Sequence, residues 1–166
     1  MPTLKSVVLE HRGGMQFDAS PSSGHPYKFD DRQSNQGGSP VETILAALGS
    51  CSAMDVVSIA EKQRQAIESY RVDVRGSQRD EYPQVFTEIT VTHEVVGRDL
   101  SETGLRRCIE LSATKYCPVS AMISAGATVV HHRYHIVSTG KDAYDVDGEV
   151  VTTGPYARPD VLVDQT

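Results

Sequence analysis

One long helix with a clear start signal limits the folds that this chain can adopt. In Ser39-Pro40-Val41-Glu42, Ser is suited to the N-cap, Pro to the first helical position and Glu to the third, which is a capping-box pattern. No further proline follows as far as about Gln65, and the single glycine there, Gly49, indicates close packing. Small or apolar residues cover nearly every face between residues 44 and 60, which predicts a helix buried all round, inside the domain or between subunits. We expect a dimer, because a domain of this size rarely buries such a helix alone.

The remaining segments predict strands on both sides of this helix. Strands are expected at 3–11, 15–19, 25–29, 69–78, 86–96 and 127–139. A second helix is predicted from Asp99 towards Lys115, and a third begins at Cys117-Pro118. The order β-β-β-α-β-β-α-α-β predicts an α+β fold. We expect one domain over residues 1–140, followed by a C-terminal extension or tail over 141–166.

Composition excludes several classes of protein. The net charge of −6 argues against a nucleic-acid-binding surface. The longest apolar stretch, within 44–60, is short for a membrane span and contains Asp55. The N-terminus lacks the pattern of a signal peptide, so we expect a cytoplasmic protein.

The three cysteines lack a C-x-x-C pair, which argues against zinc ribbons and thioredoxin-like motifs. The histidines of H-H-x-x-H at 131–135 fall on a predicted strand, where the first and last share one face and the second points away. We therefore expect neither a metal site nor a cofactor.

Two of the cysteines are candidates for chemistry. Cys117 precedes Pro118 at a helix start, where the helix dipole favours a thiolate and lowers the thiol pKa, or where a small residue is simply tolerated. Cys51 lies in the middle of the long helix and needs a nearby cation and an opening to solvent to react. Asp55, one turn later, opposes a thiolate if it faces Cys51 and is neutralised if it pairs with an arginine. Cys108 lies among apolar positions and is expected to be an inert core thiol.

Two segments together resemble the signatures of the OsmC/Ohr family, the osmotically inducible protein C and organic hydroperoxide resistance proteins. NQGGSPVETILAALGSCSAMDVV, residues 35–57, is similar to the first signature, and ATKYCPVSAMIS, residues 113–124, is similar to the second. The 66 residues from Cys51 to Cys117 match the separation expected in the family. The resemblance is to the OsmC-like branch and covers residues 3 to about 140.

This resemblance implies an intertwined homodimer in which long central helices pack between antiparallel β-sheets. It implies a thiol-dependent, peroxiredoxin-like peroxidase of the oxidative stress response that reduces organic hydroperoxides. Cys51 would be the peroxidatic thiol, Cys117 the resolving thiol, and an external dithiol the reductant. The alternative is an OsmC-like stress protein that binds a small molecule near the thiols and has little or no peroxidase activity.

The family also uses a Glu and an Arg to hold the reactive thiolate, and Glu42 matches the Glu. Nine residues at ~100° each place Glu42 opposite Cys51 on the helix, about 13 Å along its axis. Glu42 must therefore act across a dimer interface or through an arginine, or serve only in the capping box. Arg32 matches the arginine of the OsmC branch, and Arg12 that of the Ohr branch.

Overall fold

The computed structural model describes residues 3–152, with side chains as far as residue 150. The chain divides into two compact units, residues 1–44 and residues 45–166. Residues 153–166, which belong to the expected C-terminal extension, lie outside the described residues.

The first unit contains a three-stranded antiparallel sheet of β1 (Val7–Gly13), β2 (Gln16–Pro21) and β3 (Tyr27–Phe29), in that order. Gly14 and Met15 form the turn between β1 and β2, directly after Gly13, and the two glycines have φ of 113° (Gly13) and 55° (Gly14). These values lie in the region that glycine reaches without steric cost, so the predicted hairpin forms where two glycines allow it.

Helix α1 (Pro40–Lys62) begins at the predicted capping box. The Ser39 backbone N–H donates to Glu42 Oε2 at 3.1 Å, and the Glu42 N–H donates to Ser39 Oγ at 3.2 Å. This reciprocal pair satisfies two backbone donors that a helix start otherwise leaves free.

Helix α1 is not buried all round inside its own chain, so of the two predicted alternatives only burial between subunits stays a prediction. Its buried residues form one stripe, whereas Met54 on another face is 73% exposed. The helix is long and apolar enough to cross a membrane, but its buried stripe packs inside a mixed α+β fold, as the core helix of a soluble protein does. The buried residues are Leu48, Gly49, Ser52, Val56 and Ala60.

The second unit contains a four-stranded sheet in the order β4-β5-β6-β7. The pair β4–β5 is antiparallel, as expected for antiparallel sheets, and so is β6–β7, but β5 and β6 are parallel. A crossover through two helices separates β5 from β6 in the chain, and parallel neighbours require such a connection. β7 was not predicted and lies within the expected extension. The strands are β4 (Ala66–Gln78), β5 (Phe86–Arg98), β6 (Val129–Thr139) and β7 (Tyr144–Thr152).

The crossover consists of α2 (Glu102–Leu111), a π-helical segment (Ser112–Tyr116) and α3 (Pro118–Ser124). Helix α2 begins after Ser101, whose side chain accepts from the Gly104 N–H, and not at Asp99 as predicted. Asp99 instead has φ of 48°, and its Oδ1 accepts from the Lys141 N–H at 2.9 Å. A residue in that left-handed conformation does not continue into a helix.

The core of residues 45–152 has two apolar clusters with polar side chains between them along the chain. One cluster includes Val56 and Val95, and the other includes Leu48 and Val91. Three fully buried polar residues each stand between a member of one cluster and a member of the other along a helix or strand. They are Ser52 on α1, His93 on β5 and His132 on β6. We call these three residues, with the buried Ser112, the polar layer.

Candidate active site

Three reactive groups meet at the junction of α1 and α3. The Sγ atoms of Cys51 and Cys117 and a carboxylate oxygen of Asp55 all lie within 4.8 Å of one another. Cys51 and Asp55 are partly exposed, whereas Cys117 is buried. The fold thus brings together two cysteines that are 66 residues apart in the chain.

Cys117 caps α3, as its position before Pro118 predicted. The Ser120 N–H donates to Cys117 Sγ at 3.3 Å, and the Cys117 N–H donates to the Ser112 carbonyl at 3.0 Å. Of the two alternatives for this position, the lowered thiol pKa does not hold: burial raises the pKa of Cys117 to about 12, and the neighbouring Cys51 sulfur adds to the increase. The bond from the Ser120 N–H acts in the opposite direction but does not offset the burial. At neutral pH Cys117 is a protonated thiol.

Cys51 is placed by α1 at the edge of the second apolar cluster, where it packs against the buried residues that include Leu48 and Cys117. Its partial exposure provides the opening to solvent that a reactive thiol needs, and neither of the other cysteines has one.

Asp55 faces the two sulfur atoms, because the four residues from Cys51 to Asp55 make about one helical turn. Ser112 Oγ donates to Asp55 Oδ2 at 3.0 Å and lies 3.2 Å from Ser52 Oγ. This bond ties α1 to the π-helical segment. Within residues 45–150 Asp55 forms no ion pair with an arginine. The acidic residues of the ion pairs in this range are Asp73, Glu94, Glu110, Asp145, Asp147 and Glu149.

Glu42 and Arg32 both lie in the first unit and interact electrostatically. Hydrogen bonds from Ser39 lower the pKa of the Glu42 carboxyl, and the Arg32 charge lowers it further. Arg12 is held elsewhere, because its guanidinium donates to Asp18 Oδ2 at 2.8 Å and to Glu10 Oε2 at 2.6 Å. Of the two candidate arginines, Arg32 is the one that acts on Glu42.

Cys108 and the strand histidines lie apart from this junction. Cys108 is fully buried in the first cluster, and burial raises its thiol pKa to about 11, which agrees with an inert core thiol. His131 contacts Glu149, and His135 Nδ1 lies 2.9 Å from Asp147 Oδ1. His132 points into the core instead, as the alternation along the strand predicted.

Sequence reasoning missed a buried chain of three polar rings next to the core. The Tyr70 hydroxyl lies 2.7 Å from His93 Nδ1, and His93 Nε2 lies 3.2 Å from His132 Nδ1. His132 Nε2 and Ser120 Oγ are buried without a hydrogen-bond partner in the described part of the chain. The available signal was position: each histidine occupies an inward position of its strand, next to inward valine or isoleucine residues such as Val91 and Val130.

Comparisons with known proteins find similarity in sequence and in fold. The model of the family described as OsmC-like protein matches residues 33–132. The Escherichia coli (strain K12) protein YhfA is 38% identical over 125 residues, which cover 75% of this chain and 92% of YhfA. A hypothetical protein from Aquifex aeolicus VF5 is 27% identical with a TM-score of 0.75, covering 84% of this chain and 100% of that one.

The organic hydroperoxide resistance protein OhrB of Bacillus subtilis is a more distant neighbour. It is 20% identical with a TM-score of 0.55, and the match covers 80% of this chain and 98% of OhrB. At this identity the likeness shows a shared fold. The predicted α+β architecture of OsmC-like type is therefore confirmed.

Proposed function

Because the chain belongs to the OsmC-like protein family, we propose that its two facing thiols reduce organic hydroperoxides. The observation that carries the proposal is the approach of Cys51 Sγ and Cys117 Sγ to within 4.8 Å. A disulfide requires an S–S distance of about 2.0 Å, so the two sulfurs must approach each other by at most about 3 Å for the bond to form. The likeness to proteins named for organic hydroperoxide resistance supports this class of substrate.

The reaction begins at Cys51, the more accessible of the two thiols. Its thiolate attacks one oxygen of the O–O bond, so the bond breaks, the alkoxide leaves and takes up a proton, and Cys51 becomes a sulfenic acid. The Cys117 sulfur then attacks the Cys51 sulfur, a disulfide forms and one water leaves. The raised pKa of Cys117 suits this second role, because a protonated thiol does not compete for the peroxide.

An external dithiol resets the site by exchange through a mixed disulfide. Each cycle therefore consumes one hydroperoxide and two thiol equivalents and releases one alcohol and one water. No metal or cofactor enters this cycle. We place the protein in the cytoplasm, where such dithiols are kept reduced.

A homodimer completes this proposal. The exposed apolar side chains on α1 need cover, and Met54 and Ile44 are 73% and 44% exposed in one chain. Glu42 cannot reach Cys51 through its own helix, so we assign Glu42 and Arg32 to the site of the partner subunit. There the arginine would supply the cation that the Cys51 thiolate needs.

Rapid mixing with cumene hydroperoxide tests the proposal directly. The reduced protein is expected to lose two thiols per peroxide, and Cys51→Ser to lose none. Cys117→Ser should stop at a sulfenic acid, trapped by dimedone and located by mass spectrometry. Cys108→Ala is the matched control and should react as the parent does. An unchanged rate in Cys51→Ser would rule out the assigned roles.

Asp55 favours a second candidate function. Its carboxylate lies within 4.8 Å of both sulfurs and repels negative charge that develops on them during attack on a peroxide. A poorly activated thiol pair would suit a stress protein that binds a small apolar molecule. Native mass spectrometry that finds a retained ligand, together with no peroxide turnover, would favour this function over the first.

A further inference from the structure

The carboxylate beside the two thiols has no use in the peroxide reaction, and it makes the group resemble a cation site. Cys51, Cys117 and Asp55 provide two sulfur atoms and one oxygen within 4.8 Å of one another. When ionised, three such groups repel one another, and a bound divalent cation would remove that repulsion. From this juxtaposition we propose that the reduced protein binds Zn²⁺ reversibly through these three side chains.

The donor set fits a thiophilic cation. Thiolates select Zn²⁺ over Mg²⁺ and Ca²⁺, and a carboxylate is a usual third ligand. Two ligands at Zn–S distances of about 2.3 Å lie about 3.8 Å apart in a tetrahedron, so the present spacing closes with shifts of about 1 Å. Three protein ligands leave the fourth position for water.

The surroundings of the site support binding and release. Cys51 and Asp55 are partly exposed, which gives the cation a path to the sulfurs. Ser112 Oγ donates to Asp55 Oδ2 at 3.0 Å and holds the carboxylate towards α3. Such a bond from outside the ligand set orients a metal-binding carboxylate.

Binding of Zn²⁺ does not depend on the proposed peroxidase activity. It needs only the reduced thiols and the carboxylate, so a protein that never reacts with peroxide can still bind the cation. Conversely, oxidation of Cys51 and Cys117 to a disulfide removes two of the three ligands. The reduced form should bind and the disulfide form should not.

Titration of the reduced full-length protein with Co²⁺ tests the ligand set by absorption spectroscopy. We expect one Co²⁺ per chain, with a thiolate-to-cobalt charge-transfer band and the intense d–d bands of tetrahedral coordination. Zn²⁺ should displace Co²⁺ and abolish both. Absence of these bands at stoichiometric Co²⁺ would overturn the proposal.

Variants distinguish this site from simple chelation by two thiols. Asp55→Asn should keep the charge-transfer band but weaken Co²⁺ binding on the order of 10–100-fold. Cys51→Ser should retain about half of the band intensity, because one thiolate remains. Ser112→Ala leaves all three ligands in place and should weaken binding by about tenfold.

Two matched controls should bind Co²⁺ as the parent does. Cys108→Ala removes the third thiol, and Glu61→Gln removes an exposed carboxylate from α1. Circular dichroism establishes that each variant is folded. Equal Co²⁺ affinity in the parent and in folded Asp55→Asn would overturn the three-ligand site, and loss of the band in Cys108→Ala would place the cation elsewhere.

Discussion

His93 Nε2 lies 3.2 Å from His132 Nδ1, and both rings are fully buried in the core of residues 45–152. The rings are stacked with centroids 5.5 Å apart. We assign the Tyr70 hydroxyl as donor to His93 Nδ1, which leaves His93 Nε2–H to donate to His132. Burial lowers the pKa of His93 to about 4, and burial with the two neighbouring histidines lowers that of His132 to about 3. Both rings are therefore neutral in the folded protein at neutral pH.

We expect acid to destabilise the protein through this pair. Unfolded histidine takes up a proton near pH 6.5, so between pH 6.5 and about 4 the unfolded state binds more protons than the folded state. The free energy of unfolding should fall as the pH decreases below 6.5, and the pair contributes a slope that approaches about 2.7 kcal/mol per pH unit. Urea unfolding between pH 5 and 6.5 measures the slope above the range in which carboxylates titrate.

Single variants assign this slope to the buried rings. His132→Gln should remove about half of the pair's contribution, whatever its stability at pH 7. His25→Gln, on an exposed loop, should keep the full slope. The same slope in His132→Gln and in the parent would exclude the pair as its source.

A second prediction concerns the contact of α1 with the sheet. A Cβ atom on Gly49 would lie 2.6 Å from Val74 Cγ2, closer than packed atoms allow. Gly49→Ala should lower the free energy of unfolding by about 1–3 kcal/mol, because the stiff valine cannot move away. The cost of the clash exceeds the gain of about 1 kcal/mol that alanine brings in helix propensity. Gly126→Ala is the control, since its Cβ meets only the Ile123 carbonyl at 3.9 Å; equal effects in urea unfolding would contradict the clash.

A third prediction concerns the bond that ties α1 to the π-helical segment. Ser112→Ala removes the donor to Asp55 and leaves a partly buried carboxylate without its partner. The free energy of unfolding should fall by about 1–3 kcal/mol, as for other buried hydrogen bonds to charged groups. Ser50→Ala, on the exposed face of α1, should change it by less than about 0.5 kcal/mol. Similar losses in both variants would show that the Asp55 contact contributes little.

Local signals in the sequence predicted much of the fold. The start of α1, the cap at Cys117 and the alternation over residues 86–96 all depend on residues close together in the chain. The strand β7 was not predicted because every second residue of the strand is exposed and acidic, so the segment resembles a polar loop. These residues are Asp145, Asp147 and Glu149. Its strand character shows only against β6, where His131 and His135 meet two of these carboxylates.

The candidate site was predictable only in part, because several of its contacts join residues that lie far apart in the chain. The spacing of Asp55 from Cys51 indicated that both lie on one helix face. The effect of burial on Cys117 depends on the second apolar cluster, whose members come from α1, β5 and β6. The helix-start position alone left open whether the Cys117 pKa is lowered or the cysteine is only a tolerated small residue. The role of Ser112 depends on a contact across 57 positions, which no local pattern encodes.

The last prediction uses Asp55 to measure how the carboxylate restrains Cys51. At separations below 5 Å two unit charges interact by several kcal/mol at an effective dielectric constant of about 20. Removing the charge should therefore lower the electrostatic cost of the negative charge that the Cys51 sulfur carries as it attacks the peroxide. We expect Asp55→Asn to react with cumene hydroperoxide about tenfold faster than the parent at pH 7, in buffer that contains a chelator to exclude metal. Glu61→Gln should match the parent in stopped-flow measurements, because that carboxylate is exposed on α1 away from the cysteines. A slower reaction in Asp55→Asn, with the fold intact, would mean that the carboxylate assists the attack on the peroxide instead of opposing it.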